Sequence, residues 1–354
     1  MFVYRNKNNI VLFILGNIIG LTVIITTLIY LYLSTFLSNA HLTFSELKSI
    51  VSSAYSQKDQ FENRHVTFLI LGLDQRSDAL ESTLLTDTII LASLTTDNLP
   101  ASPAGGQLTT ISIPRDLWIH ELKTKVNALY FYGEQRDNTT GPEFTMEELE
   151  RIMGASIDYY VVMNYNDLDE LVDLVGGIEV DVPQSFIDEK YPNPDYLSDQ
   201  TKPIYQTVQF NKGLQNFDGK RALAYVRSRH SESEEGSDSS RSKRQAQVFQ
   251  GIMKKLSNRS LITNPKQMGN IYRFWKESVS TDLSDHEALA LGLNLTPNKI
   301  EMNTVSIPVG ISTDSQAILI NPPVSKYGLW VWEPRDRSWE ELKEFIGNTL
   351  DSHE

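Results

Sequence analysis

The chain has 354 residues, with 32 Lys plus Arg against 45 Asp plus Glu and a net charge of −13. At 40% hydrophobic and 22% charged residues it is composed like a folded protein, and its length allows about two domains. The absence of cysteine excludes disulfide frameworks, thiolate metal sites and cysteine nucleophiles, and the acidity argues against nucleic acid as a partner.

Residues 10–33 (IVLFILGNIIGLTVIITTLIYLYL) carry no formal charge. As a helix rising ~1.5 Å per residue they would run about 36 Å, longer than the ~30 Å hydrocarbon core of a bilayer. A secretory signal has a shorter apolar core and a small-residue cleavage site, whereas Thr35-Phe36-Leu37 follows here, so a retained transmembrane anchor is expected. Arg5 and Lys7 on the short side place residues 1–9 in the cytoplasm and the rest outside the cell membrane, single-pass. Residues 34–64 are polar and read as a helical or extended stalk.

Three short apolar runs follow, at 67–73, 88–94 and 108–113, each with the length of a buried strand. The Pro, Ser, Ala and Gly of 100–106 form a loop between the last two. Consecutive strands usually neighbour one another, so these three form a meander. Asp74 and Arg76 then leave the first strand, Asp87 enters the second and Arg115 leaves the third, all on one sheet edge.

Thr145-Met146-Glu147-Glu148 matches a capping box ahead of a helix. Asn166 or Asp167 is expected to cap another, which Gly176-Gly177 stops. Ile178, Val180 and Val182 alternate with acids as a half-buried strand. Residues 186–212 read as a long excursion, the apolar run 222–226 is followed by Arg227-Ser228-Arg229 on an extended segment, and a third helix begins near Ser240. The body is α/β, a mixed sheet flanked by helices, over 65–260. Residues 261–354 form an extension packed on the same domain, with Trp330, Trp332 and Trp339 as packing residues.

The chain has no phosphate loop, no H-E-x-x-H, no G-x-S-x-G and no G-x-G-x-x-G. Carboxylates and arginines at element ends remain. Asp74 and Asp87 suit Mg²⁺, which takes one or two carboxylates with waters and phosphate oxygens, or else they cap turns. Arg227, Arg229, Arg241 and Gln245 suit a phosphate clamp, or a solvated face neutralised by Glu232, Glu234, Glu235 and Asp238.

Taken in order, LGLDQR (71–76), TDTIIL (86–91), ISIPRDLWI (111–119), KVNALY (125–130), the run 159–183 and GLQNFDGKRALAYVRSRH with DSSRSKRQ (213–245) resemble the LytR–CpsA–Psr family of membrane-anchored cell-envelope proteins. That resemblance implies transfer of a glycopolymer, such as teichoic acid or capsule, from a polyprenyl-pyrophosphate carrier to peptidoglycan through a phosphodiester bond. It implies Mg²⁺ as cofactor on Asp74 and Asp87, and Asp74, Asp87 and Arg115 as catalytic residues. Arg76, Arg115, Arg227, Arg229 and Arg241 match its pyrophosphate-contacting arginines, Gln245 the glutamine after them, and Lys125 and Asn127 its K-x-N segment. Partners would be the lipid-linked glycan, peptidoglycan and membrane lipid. Leu85 stands where the family pattern carries arginine. Arg241 and Arg244 compete for one motif position. Hydrolysis of the pyrophosphate and a non-catalytic lipid-binding role are the competing readings.

Overall fold

The uncharged N-terminal run folds as one long helix, α1 (Lys7–Ala40), which continues past the apolar stretch. The computed structural model describes residues 7–73, 84–96, 106–231, 238–295 and 300–351. Within α1, Phe13–Ala40 is long and apolar enough to cross a membrane, with a mean hydropathy of 2.2 over its most apolar window, none of it buried by the rest of the chain. Residues 34–64, read from the sequence as a stalk, hold the end of α1 and a second helix, α2 (Phe44–Gln57). Thr43 and Glu46 close a capping box at its start, and Ala54 and Phe61 are buried against the body.

β1 (His65–Leu73), β2 (Thr86–Thr95) and β3 (Gln107–Ser112) pair antiparallel in sequence order, the meander expected from the three apolar runs. A short ribbon, β4 (Trp118–Ile119) with β5 (Thr124–Lys125), precedes α3 (Leu129–Glu134) and α4 (Gly141–Met153). α4 starts earlier than expected. Thr140 and Glu143 form the capping box, Pro142 sits in the first turn, and Thr145 lies inside the helix bonded to the Gly141 carbonyl at 2.7 Å. Two successive boxes exist in the sequence, 140–143 and 145–148, and the one that contains a proline suited to the first turn wins.

β6 (Tyr159–Asn164) runs parallel to β1, and α5 (Tyr165–Leu174) follows directly. Asn164, rather than Asn166 or Asp167, occupies the extended position before that helix. β7 (Ile178–Val182) alternates as expected. The supposed excursion is a hairpin, β8 (Phe186–Pro192) with β9 (Tyr205–Phe210), bridged by α6 (Asp195–Ser198). β10 (Gly213–Phe217) pairs with β7, and α7 (Gly219–Arg227) turns the apolar run 222–226 into a helix capped by Asp218.

α8 (Asp238–Leu256), α9 (Arg259–Ile262), α10 (Pro265–Ser278), β11 (Ser280–Thr281) and α11 (Asp285–Leu293) lead to β12 (Glu301–Ser306). β13 (Val309–Gly310), β14 (Leu319–Ile320) and β15 (Glu333–Pro334) make a small sheet before α12 (Glu340–Asp351). The central sheet therefore has the order β11-β6-β1-β2-β3-β12, with β12 parallel to β3. The C-terminal extension thus completes its edge.

Both faces of this sheet are covered. Leu69, Leu71, Ile89, Leu91 and Ile111 point to a core shared with α3, α4 and α12, where Trp339 is also buried. Val66, Phe68, Ile70, Ala92 and Leu94 point to the opposite core with α2 and α11. Period-two alternation between two buried faces makes these strands read as continuous apolar runs. A third core joins α5, α7 and α8 to the β7–β10 strands around Phe186, Phe210, Phe217 and Tyr225, whose rings lie 5.0–5.9 Å apart.

Candidate functional site

The carboxyl ends of β1, β3 and β6 and the start of β2 share one edge of the sheet, because β2 alone of the four runs the other way. Asp87, the second residue of β2, lies there with 7% of its surface exposed. Arg115 Nη1 donates to Asp87 Oδ1 at 2.6 Å, and Arg229 Nη2 donates to Oδ2. Arg241 Nη1 stands 4.0 Å from the same Oδ2, its side chain almost fully buried. Burial pushes the Asp87 carboxyl up, but Arg115, Arg241 and Arg229 outweigh it and hold its pKa below the usual carboxylate value. One ionised carboxylate thus faces three guanidinium groups.

Each arginine has its own support. Arg115 leaves β3 in a turn closed by the Leu117 N–H on the Pro114 carbonyl at 3.0 Å, and its own carbonyl accepts the Asn127 N–H at 3.1 Å. Asp116 lies 3.3 Å from Arg115 Nε and accepts from Lys125 Nζ at 2.5 Å. Arg229 follows the end of α7, where Asp188 of β8 accepts from Ser228 Oγ at 2.6 Å, Arg229 N at 2.9 Å and His230 N at 3.1 Å. Burial raises the Asp188 pKa, and the hydrogen bonds from Ser228, His230, Lys190 and Arg229 bring it below the ordinary value. Arg241 and Gln245 come from the first turns of α8, one turn apart, and Gln245 Nε2 donates to Tyr165 Oη at 2.5 Å. Tyr165 Oη in turn meets Thr88 Oγ1 at 2.6 Å.

The sequence-derived set is largely brought together. Asp87, Arg115, Arg229, Arg241 and Gln245 converge, with Lys125 and Asn127 on the segment behind Arg115. Asp74 and Arg76 lie outside the described residues. Arg241, not Arg244, faces Asp87: Arg244 is turned back to the Tyr225 and Ser228 carbonyls at 2.9 and 2.6 Å and lies over Phe186. Arg227 and Arg229 do not share a face of an extended segment. Arg227 ends the α7 helix with its guanidinium 5.4 Å from the Tyr165 ring centre, beside the buried hydroxyl of Tyr191. The apolar run before it keeps helical phase with Ala222, Tyr225 and Val226 inward, and the chain becomes extended only at Ser228.

Sequence reasoning missed Asp188, Asp116 and Tyr165. Asp188 sits at an inward position of β8, where its neighbours Phe186 and Tyr191 are apolar; an acid in that phase was the available signal. A cleft lined by Pro114, Arg115, Asp116, Ser242, Lys243 and Trp332 opens beside the cluster. Chemically the arrangement can act as an anion cradle, since guanidinium forks match phosphate oxygens and a local surplus of positive charge favours a polyanion. Asp87 is also the carboxylate at the centre of this cluster that could be offered to a divalent cation such as Mg²⁺, both of its oxygens here accepting from Arg115 and Arg229. Among the described residues no cluster of three acidic or histidine side chains forms a metal cage.

The chain is 28% identical over 260 residues to "Polyisoprenyl-teichoic acid–peptidoglycan teichoic acid transferase TagU" of Oceanobacillus iheyensis, covering 73% of this chain and 69% of that protein. It is 29% identical over 286 residues to the protein of the same description from Bacillus subtilis, covering 79% and 80%. The solved structure of B. subtilis TagV superposes with a TM-score of 0.56 at 24% identity, covering 82% of this chain and 98% of that one, and shares the fold. The family model LytR_cpsA_psr matches residues 29–343, so this chain belongs to the LytR_cpsA_psr family.

Proposed function

We propose that the protein is an extracytoplasmic phosphotransferase. It moves a glycopolymer of the teichoic acid or capsule class from a polyprenyl-pyrophosphate carrier to a hydroxyl of peptidoglycan. The observation that carries this reading is the cluster of Arg115, Arg229 and Arg241 about the single carboxylate of Asp87, in a chain whose net charge is −13. An acidic protein repels a pyrophosphate unless cations are concentrated locally. The activity for which the TagU relatives are named, transfer of polyisoprenyl-linked teichoic acid to peptidoglycan, supports the same substrate classes.

In this reading the arginines grip the pyrophosphate, Arg227 and Arg76 included, while Asp116, Asn127 and Lys125 hold the Arg115 turn. Gln245 fixes Tyr165 against the start of β2. The acceptor oxygen forms a bond to the glycan-bearing phosphorus, and the bridging P–O bond breaks with polyprenyl phosphate leaving. The acceptor proton passes to solvent, because the lowered pKa of Asp87 makes that carboxylate a weak base. Such a transfer needs positioning and charge neutralisation more than covalent help from the protein. Mg²⁺ would be held by Asp87 and Asp74 and would supply further neutralisation of the phosphate oxygens. The helix α1 anchors the chain in the membrane, with residues 1–9 inside and the site outside.

The test is incubation of the full-length protein with polyprenyl-pyrophosphate oligosaccharide, peptidoglycan and Mg²⁺. Phosphodiester-linked product is expected, and Arg229→Ala should abolish it. Release of phosphorylated glycan without attachment would instead assign a hydrolase. Carrier binding with neither product would assign a non-catalytic role.

A further inference from the structure

Between Asp238 and Glu277 the sequence contains Arg241, Lys243, Arg244, Lys254, Lys255, Arg259, Lys266, Arg273 and Lys276, and no acidic residue. The first three lie at the site end of α8. The other six lie at its far end and on α9 and α10. Arg241 and Lys255 are separated by about 21 Å along the helix at ~1.5 Å per residue, so these are two distinct basic regions. The phosphate cradle accounts only for the first.

The second region lies against the anchor. A Cβ at Gly269 of α10 would fall 2.7 Å from both Asn39 Cβ and the Phe36 carbonyl oxygen, so the two helices touch backbone to backbone there. Tyr32 Oη donates to the Ile262 carbonyl and lies 3.5 Å from Met268 Sδ, and the Phe36 and Tyr272 rings are 6.5 Å apart. Depth follows from length. Starting at Ile10, a ~30 Å hydrocarbon core takes about 20 helical residues, which places Tyr32 about 4–5 Å beyond it, in the headgroup layer. Tyrosine is enriched at that depth. The Ile262 carbonyl bonded to Tyr32 must share its depth, and the Ile262 side chain is 51% exposed there. Lys254 and Lys276 pair with Glu179 and Asp285 at 3.3 and 3.2 Å, and the nearby Glu277 faces His41 at 3.8 Å.

We infer that α9 and the adjoining ends of α8 and α10 form a membrane-resting face, with Ile262 seated among the headgroups and Lys255, Arg259 and Lys266 on anionic lipid phosphates. The inference rests on α1 crossing the membrane. A wholly acidic domain would be pushed off an anionic surface, and this one presents its longest acid-free stretch beside the anchor. Polybasic segments next to a spanning helix bind such surfaces, and the attraction falls with salt.

The chain has no cysteine, so Thr263→Cys gives a single attachment point for a polarity-sensitive fluorophore at an exposed position next to Ile262. The labelled full-length protein is reconstituted in phosphatidylcholine vesicles with and without about 30% phosphatidylglycerol, a composition that sets an anionic surface potential. Flotation with the vesicles after alkaline extraction reports whether α1 is inserted. The expected result is a blue-shifted emission at least about twofold stronger in the anionic vesicles, lost at 1 M salt. Combined Lys255→Glu, Arg259→Glu and Lys266→Glu should return it to the value in neutral vesicles. Identical water-exposed emission in both compositions, with the protein inserted, would overturn the inference. Failure to float would remove the anchor reading and this inference with it.

Discussion

Asp188 accepts the backbone N–H of Arg229 at 2.9 Å, joining the β8 strand to the turn that aims this arginine at Asp87. The same carboxylate also takes the Ser228 hydroxyl and the His230 N–H, and its surface is fully buried. Asp188→Ala leaves four donors, the Ser228 hydroxyl and the Lys190, Arg229 and His230 N–H groups, without their acceptor. It should lower folding stability by about 2–3 kcal/mol, measured by urea unfolding, and remove most transfer activity. Asp188→Asn, which keeps the shape and one acceptor, should recover part of the stability. Wild-type stability in the alanine variant would show that Asp188 does not organise the turn.

Asp87 restrains the arginines as well as serving them. Asp87→Asn removes the negative charge from the centre of the cluster without changing its shape. Without metal, inorganic pyrophosphate should bind this variant about 10-fold more tightly than wild type by calorimetry, since three guanidinium groups lose their internal competitor. Added Mg²⁺ should strengthen binding to wild type but not to the variant, and transfer should be lost in the variant. Equal Mg²⁺ enhancement in both would remove Asp87 from the metal site.

Lysine in place of arginine keeps the charge and loses the fork. Arg229→Lys should cost about 10- to 100-fold in transfer, or 1.4–2.7 kcal/mol, with circular dichroism unchanged. Arg227→Lys also forfeits the arrangement over Tyr165, so it should reduce transfer and lower the unfolding temperature together. A variant pair indistinguishable from wild type would make the basic segment a solvated face.

The pH dependence has a definite sign. Asp87 and Asp188 both have pKa values held below the ordinary carboxylate range in the folded protein. Each contributes stability that is fully present above the unfolded value of about 3.9 and is lost as pH falls through the lowered pKa. Thermal unfolding should therefore be insensitive to these groups from pH 8 to about 5, with stability declining below about 4. A decline that begins near pH 6.5 would point to histidine instead.

The central strands were legible because both sheet faces are buried, so Leu69, Ile89 and Ile111 stand among other apolar residues in runs of strand length. Asp87 and Arg115 were legible for a topological reason: a meander brings alternate strand ends to one edge. Asp188 was not, because a buried acid breaks the alternation that identifies a strand, and all its partners but the Lys190 N–H lie some forty residues away. Arg227 was misread because residues 222–226, four of them buried, are too short a run to distinguish a helix from a strand. The competition between Arg241 and Arg244 was beyond sequence reach. They lie three apart on α8, and only the position of α7 decides which one turns inward toward the Tyr225 carbonyl.

The backbone contact at Gly269 also bears on how substrates meet. If α1 spans the bilayer as proposed, its clamp to α10 makes the domain turn with that anchor instead of tumbling independently above the membrane. The proposed lipid-borne donor would then approach by lateral diffusion within one plane, toward a pocket whose heading is already set. Much of the orientational penalty that slows ordinary protein encounters is thereby removed for the donor. In the proposed transfer the acceptor would be met from outside that plane, and its encounter would carry no such gain in orientation.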